Sequence, residues 1–288
     1  MIFWDNLVAL LPFGWAQHLF MQNALLALIL VTPIFGMLGT MVVNNRMAFF
    51  SDTLGHSALT GIALGVMIGL KDPLLAMLAF ALVMALTICV VKKMTRTSTD
   101  TIIGVFSASA IALGIVILSR GGGFNRYSRF LIGDILSITF SEIAALGTVL
   151  GLVLIYWFLL FNKLFLVSIN PVMARSRGVR VLLTEVLFTA LVAVVVTVSI
   201  QWVGILIINS LLILPAAAAR NLATNMQSYH LGAIVISVLA GITGLILSYY
   251  WGTAAGATIV LCNTAFFLGT LALKLGPSAL IPQLNSMK

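Results

Sequence analysis

A series of apolar runs about as long as a membrane is thick constrains this chain more than anything else in it. Residues 141–162 and 183–200 are two of them, and a helix needs about 20 apolar residues to cross a hydrocarbon core of about 30 Å. Only 8% of residues are charged, against roughly 25% in soluble domains. Period-two alternation is absent, so the runs predict an all-α integral membrane protein, a polytopic helical bundle, rather than a β-barrel. The whole chain, 1–288, reads as a single transmembrane domain.

After an interfacial segment at 1–20, spans are predicted near 25–43, 51–70, 73–91, 101–119, 141–162, 183–200, 203–219, 230–250 and 254–274. The pair 183–200 and 203–219 reads either as two elements or as one bent element, which gives eight or nine transmembrane helices. With nine, an N-terminus outside and a C-terminus inside, 11 of the 15 Lys and Arg residues fall on the inner side. Only Lys71, Arg120, Arg126 and Arg129 are left outside, as short-loop topology favours. The same rule explains the net charge of +8, so no nucleic-acid partner is called for; the surrounding partner is membrane lipid. No Lys or Arg precedes Arg46, which predicts insertion without a cleaved signal. Cys89 and Cys262 lie in different spans without CxxC spacing and are expected to be packed free thiols.

Two connections are longer than a turn. In 119–142, three glycines end any helix and Ser128 offers an N-cap to a short apolar stretch, predicting a short helix in or dipping into the outer face. In "NPVMARSRGVR" (170–180), Asn170 and Pro171 form a helix start and Gly178 stands where a helix end wants a left-handed residue. A short basic helix on the inner surface follows.

The chain has seven carboxylates, Asp5, Asp52, Asp72, Asp100, Asp134, Glu142 and Glu185, and an ionisable group within a span costs about 2.5–3.5 kcal/mol on insertion scales. Asp52 and His56 are the pair most in need of a reason. Their i,i+4 spacing puts both on one helical face, where a carboxylate oxygen and an imidazole nitrogen can converge on Zn²⁺ or Mn²⁺. A plainer reading also fits: Asp52 answers the dipole of a helix starting at Ser51, and His56 bonds to a neighbouring helix. If the span starts at Ser51, His56 stands only about 7–8 Å above the inner edge. Gly61, Gly65 and Gly69 follow at four-residue intervals, a ridge on which another helix can pack closely. His18 and His230 read as interfacial histidines. Asp134 reads as a cap or gating residue that can also draw cations to an outer mouth. Glu185 and Asp100, near basic residues, read as locally paired charges.

No GxxxxGK[ST] motif is present, so any ATP hydrolysis has to come from another chain. GxSxG and HExxH are also absent, and three histidines leave little material for acid–base catalysis. The chain reads as no enzyme.

The stretches "NNRMAFFSDTLGHSALTGIALG" (44–65), "STDTIIGVFSASAIALGIVILS" (98–119), "FLIGDILSIT" (130–139), "VGILIINSLLILPAAAAR" (203–220) and "GATIVL" (256–261) are similar to those of bacterial zinc/manganese-type ABC importer permeases, above all the high-affinity zinc uptake permeases. Asp52 and His56 occupy the positions of that family's Asp-x-x-x-His pattern. The resemblance implies a compact, vitamin-importer-like (type II) permease fold in the bacterial cytoplasmic (inner) membrane. It implies a homodimer, two cytoplasmic ATP-binding subunits and an extracytoplasmic metal-binding protein. ATP would sit on the partner subunits, with no cofactor held permanently and Zn²⁺ or Mn²⁺ as cargo on Asp52, His56 and, at the mouth, Asp134. Asn170, Pro171, Ala174, Arg175, Arg177, Gly178 and Arg180 match the segment that couples the permease to its ATPase. Two features depart from the family: "YYWGTAAGATIVL" lacks an Asp-x-Pro-x-Gly turn, and Ser107 and Ser109 stand where some zinc-type relatives carry a histidine. Zinc is the expected cargo and manganese the next, with the second departure weakening the claim of zinc over manganese. A gradient-driven secondary transporter or channel is the alternative, but it needs coupling carboxylates at the midplane, and 141–275 offers only Glu142 and Glu185, both near span edges.

Overall fold

The computed structural model describes residues 14–70, 73–95, 97–121 and 133–285. The predicted Ser128 cap, Asp5, Asp72, Lys71, Arg96, Arg126 and Arg129 lie outside them. The described residues form helices and no strand. In chain order these are α1 (Leu19–Asn44), α2 (Phe50–Met67), α3 (Pro73–Met94), α4 (Thr99–Gly121), α5 (Phe140–Ile169), α6 (Pro171–Ser176), α7 (Val181–Val203), α8 (Ile205–Leu222), α9 (Met226–Trp251) and α10 (Ala255–Asn285). Seven of them are long and apolar enough to cross a membrane; α2 and α8 are the shorter or more polar ones.

The predicted boundaries hold with a few instructive shifts. Segments 183–200 and 203–219 are two helices, because Gly204 adopts φ 86° and ψ 151°, a conformation that a helix cannot contain and that glycine adopts without steric cost. α5 starts at Phe140, where Thr139 and Glu142 close a capping box and satisfy otherwise orphaned N–H groups, and runs past the predicted end at 162 to Ile169, just before Asn170 and Pro171 open α6. Cys89 and Cys262 are free thiols, the first buried.

α1 is the centre of the bundle. It packs on α8, α9 and α5 and buries Phe35, Leu38 and Met41 almost completely. α2 is held by α3, α4, α8 and α7. The glycine ridge does part of what the spacing predicts. A Cβ on Gly61 would stand 2.7 Å from Met77 Cα, and one on Gly65 2.7 Å from Ala76 Cβ, so both seat α3 against α2. Gly69 is not part of the ridge: it has φ 78° and open space around it, and it forms the turn that follows α2.

Candidate metal-passage site

Three neighbours fix how α2 is turned. Toward α8, Ser51 Oγ donates to Asn209 Oδ1 (2.5 Å), and Gly55 touches Ile205 and Ile208. Toward α4, the Thr53 hydroxyl donates to the Ile103 carbonyl and that of Thr60 to the Ala110 carbonyl. Toward α3 stand Gly61 and Gly65. At about 100° per residue, Asp52, His56 and Leu59 fall on the remaining side, between α8 and α4. Those three are half-exposed, whereas Ser51, Thr53, Leu54, Gly55, Ser57 and Ala58 are buried. The pair is therefore the floor of a groove whose walls are α4 and α8.

Asp52 Oδ1 and His56 Nε2 are 3.6 Å apart, with their side chains 37% and 24% exposed. That separation is too long for a good hydrogen bond. Two donors each about 2.1 Å from a tetrahedral zinc ion stand about 3.4 Å apart, so the pair has close to the bite of a two-point ligand. Among the described residues no group of three or more His, Cys, Asp and Glu side chains is gathered anywhere. Asp52 and His56 of one copy thus offer two donors.

α2 starts at Phe50, one residue before the predicted Ser51. α2 begins beyond Met47, which shares a small cavity with Phe188 and Thr189, two turns into α7. Further on, Gly55 meets Ile205 at the far end of α7. The same cavity is lined by Thr99, the first residue of α4, and Thr53 meets Ile103 one turn into α4, so α2 and α4 begin at about the same level and Asp52 and His56 stand within the first two turns of α2.

The other polar candidates are accounted for separately. Asp134 accepts the Leu136 N–H and caps a 3-10 turn at Ile135–Ser137, as a capping role predicts. With Trp202, Thr253 and Ala254 it lines a cleft. Gly133 beside it (φ 70°) lies against the break at Gly204; a Cβ there would stand 2.3 Å from the Gly204 nitrogen. Glu185 pairs with Lys92 at 3.9 Å. His230 Nδ1 contacts the Thr40 hydroxyl, with the rings of Trp157 and Phe161 edge-on to it, so it serves a helix–helix interface. His18 bonds to Tyr249.

At 170–180 the structure has the short helix that the sequence predicts. The Asn170 side chain accepts the Val172 and Met173 N–H groups, Pro171 opens α6, and Gly178 takes φ 76°. Val179 N–H returns to the Ala174 carbonyl and Gly178 N–H to that of Arg175, satisfying carbonyls at the helix end. Ala174, fully buried, clusters with Val167 and Val181 and pins α6 to the ends of α5 and α7. Around it Val172, Met173, Arg175, Arg177 and Arg180 are exposed.

Asn209 is the residue at this site that the sequence reading passes over. The available signal was a lone amide in the apolar run "GILIINSLLILP".

A family model described as the ABC 3 transport family matches residues 17–274. The high-affinity zinc uptake system membrane protein ZnuB of Haemophilus influenzae is 35% identical over 253 residues, 86% of this chain and 95% of the relative. The manganese import system permease protein ScaB of Streptococcus parasanguinis is 32% identical, over 88% of this chain and 91% of the relative. A solved structure described as PsaBC from Streptococcus pneumoniae in complex with Fab matches with a TM-score of 0.78 and 28% identity, covering 99% of this chain and 100% of that one.

Proposed function

This chain belongs to the ABC 3 transport family, and from that premise we propose that it is the membrane-spanning permease of an ABC importer that carries a divalent metal ion, zinc or manganese, into the cytoplasm. As a member of that family it is a transport subunit, and ATP hydrolysis belongs to a separate chain. The observation that carries the metal reading is the half-exposed Asp52–His56 pair at 3.6 Å on the open face of α2. An ionisable pair of this kind on a lipid-facing surface carries a penalty. Turned toward a second copy, the same face lines a central passage.

In this reading two copies, of the compact type II form and with eight or nine crossings each, face one another across the α2 grooves. A binding protein outside delivers the ion, and Asp134 helps to draw it to the mouth. Asp52 and His56 from both copies then replace part of its hydration in turn. Ligation stays weak, since a closed four-ligand site would hold zinc rather than pass it. Two ATP-binding subunits dock on the inner side. Asn170, Pro171 and Gly178 shape α6, Ala174 anchors it, and Arg175, Arg177 and Arg180 face the partner, so that nucleotide-driven closure moves α5 and α7. The N-terminus lies outside and the C-terminus inside, in a bacterial inner membrane.

The test is Asp52→Ala and His56→Ala in cells grown under chelation. Metal-dependent growth and uptake are lost while membrane insertion is retained; uptake at the unaltered rate in both variants removes the pair from the path.

A further inference from the structure

We infer that Asn209 is a third oxygen donor to the passing ion and sets the balance between manganese and zinc. The inference rests on the reading of Asp52 and His56 as ligands on the path.

Helical phase puts Asn209 on the groove. α8 runs antiparallel to α2, since Ser51 meets Asn209 while Gly55, one turn on, meets Ile205. Ile205 and Ile208 point at α2. At about 100° per residue, Asn209 and Ile213 come next around α8, on the same side of the α2–α8 seam as Asp52. Burial agrees: Asn209 and Ile213 are half-exposed between buried Ile208, Leu211 and Leu212. On the facing wall, α4 turns Ile103, Ala110 and Gly114 toward α2. There the residue placed toward the groove is Ser107, also half-exposed. Asn209 is thus the larger neutral oxygen donor beside the floor.

The amide is also held in place. Ser51 is fully buried, directly precedes Asp52, and its hydroxyl reaches Asn209. One buried side chain therefore orients Asn209 relative to the residue next to Asp52. A carbonyl-type oxygen has a second lone pair, and such hydrogen-bonded support is what orients metal ligands elsewhere.

Donor chemistry gives the direction of the effect. Imidazole suits zinc, while carboxylate, carbonyl and water oxygens suit manganese. Adding a neutral oxygen to one carboxylate and one imidazole moves the set toward manganese.

The experiment measures ATP-driven uptake of Mn²⁺ and of Zn²⁺ by the whole importer in vesicles, for Asn209→Leu, Asn209→Asp and Ser51→Ala, beside Asp52→Ala. Asn209→Leu is expected to lower Mn²⁺ uptake (kcat/KM) by about tenfold, no less than the loss that follows when a group supporting a metal ligand is removed, with Zn²⁺ uptake changed by less than about twofold. Asn209→Asp, which keeps an oxygen, retains or raises the Mn²⁺ to Zn²⁺ ratio, and Ser51→Ala shifts the ratio in the same direction as Asn209→Leu by a smaller factor. An unchanged ratio in both Asn209 variants while Asp52→Ala abolishes uptake overturns the role of Asn209 alone. Unimpaired uptake in Asp52→Ala overturns the reading beneath it.

Discussion

A distance and a phase carry the argument at the scale of single residues. Asp52 and His56 stand 3.6 Å apart, wider than a hydrogen bond and near the span of two donors to one ion, on the side of α2 that α3, α4, α7 and α8 leave open among the described residues. The same scale shows what a one-letter string can and cannot reveal. The i,i+4 pair was legible because both partners lie on one helix and the cost of burying charge in a span is general. Asn209 was not, because its meaning depends on Ser51, 158 positions away. Gly133 is a similar case: its partner Gly204 is visible only in the fold. A Cβ at Gly133 meets the Gly204 and Val203 backbone at 2.3–2.4 Å with φ at 70°, and backbone has little room to retreat. Gly133→Ala is therefore expected to cost about 1–3 kcal/mol, read as a lower Tm of the purified complex in detergent. An unchanged Tm contradicts this account of the contact.

Among the elements, α6 is the clearest. Its signals are local, so its position and its ends were legible from Asn170, Pro171 and Gly178 before any tertiary information. What the sequence could not supply was its anchorage. Ala174 is buried because Val167 and Val181, from the two flanking helices, close over it, which leaves the remaining side chains of the helix outward. A six-residue helix has little stability of its own, so its cap matters. Asn170→Ala is expected to remove about 1 kcal/mol of helix stability and to leave ATP hydrolysis running with less metal moved per ATP. The check is the ratio of the two rates in the reconstituted importer; a ratio equal to that of the unaltered protein argues against α6 as the coupling element. The break between α7 and α8 belongs to this scale as well. The sequence allowed one bent helix or two, and the positive φ of Gly204 decides for two.

For the whole molecule, α3, α4, α7 and α8 surround α2, among the described residues, on every side except the one that carries Asp52 and His56. The apolar runs made the membrane class and most helix boundaries legible, since helix length and bilayer thickness are tied by geometry. Which side of α2 stays open was not legible, because it depends on how α3, α4, α7 and α8 pack around it. Two copies meeting at this face would turn two half-sites into one passage. Leu59, one turn along the same stripe, gives an assay for that arrangement: Leu59→Cys is expected to cross-link two copies in native membranes, and a cysteine that instead reacts only with a lipid-soluble label places the face against acyl chains. The most direct measurement is anomalous scattering at the metal edge from crystals of the importer loaded with Mn²⁺ or Zn²⁺. The account predicts a peak about 2.0–2.2 Å from Asp52 and His56 oxygen and nitrogen atoms, between the α2 helices of two copies. A peak elsewhere along the passage with the Asp52–His56 face empty, or that face directed at lipid, would contradict it.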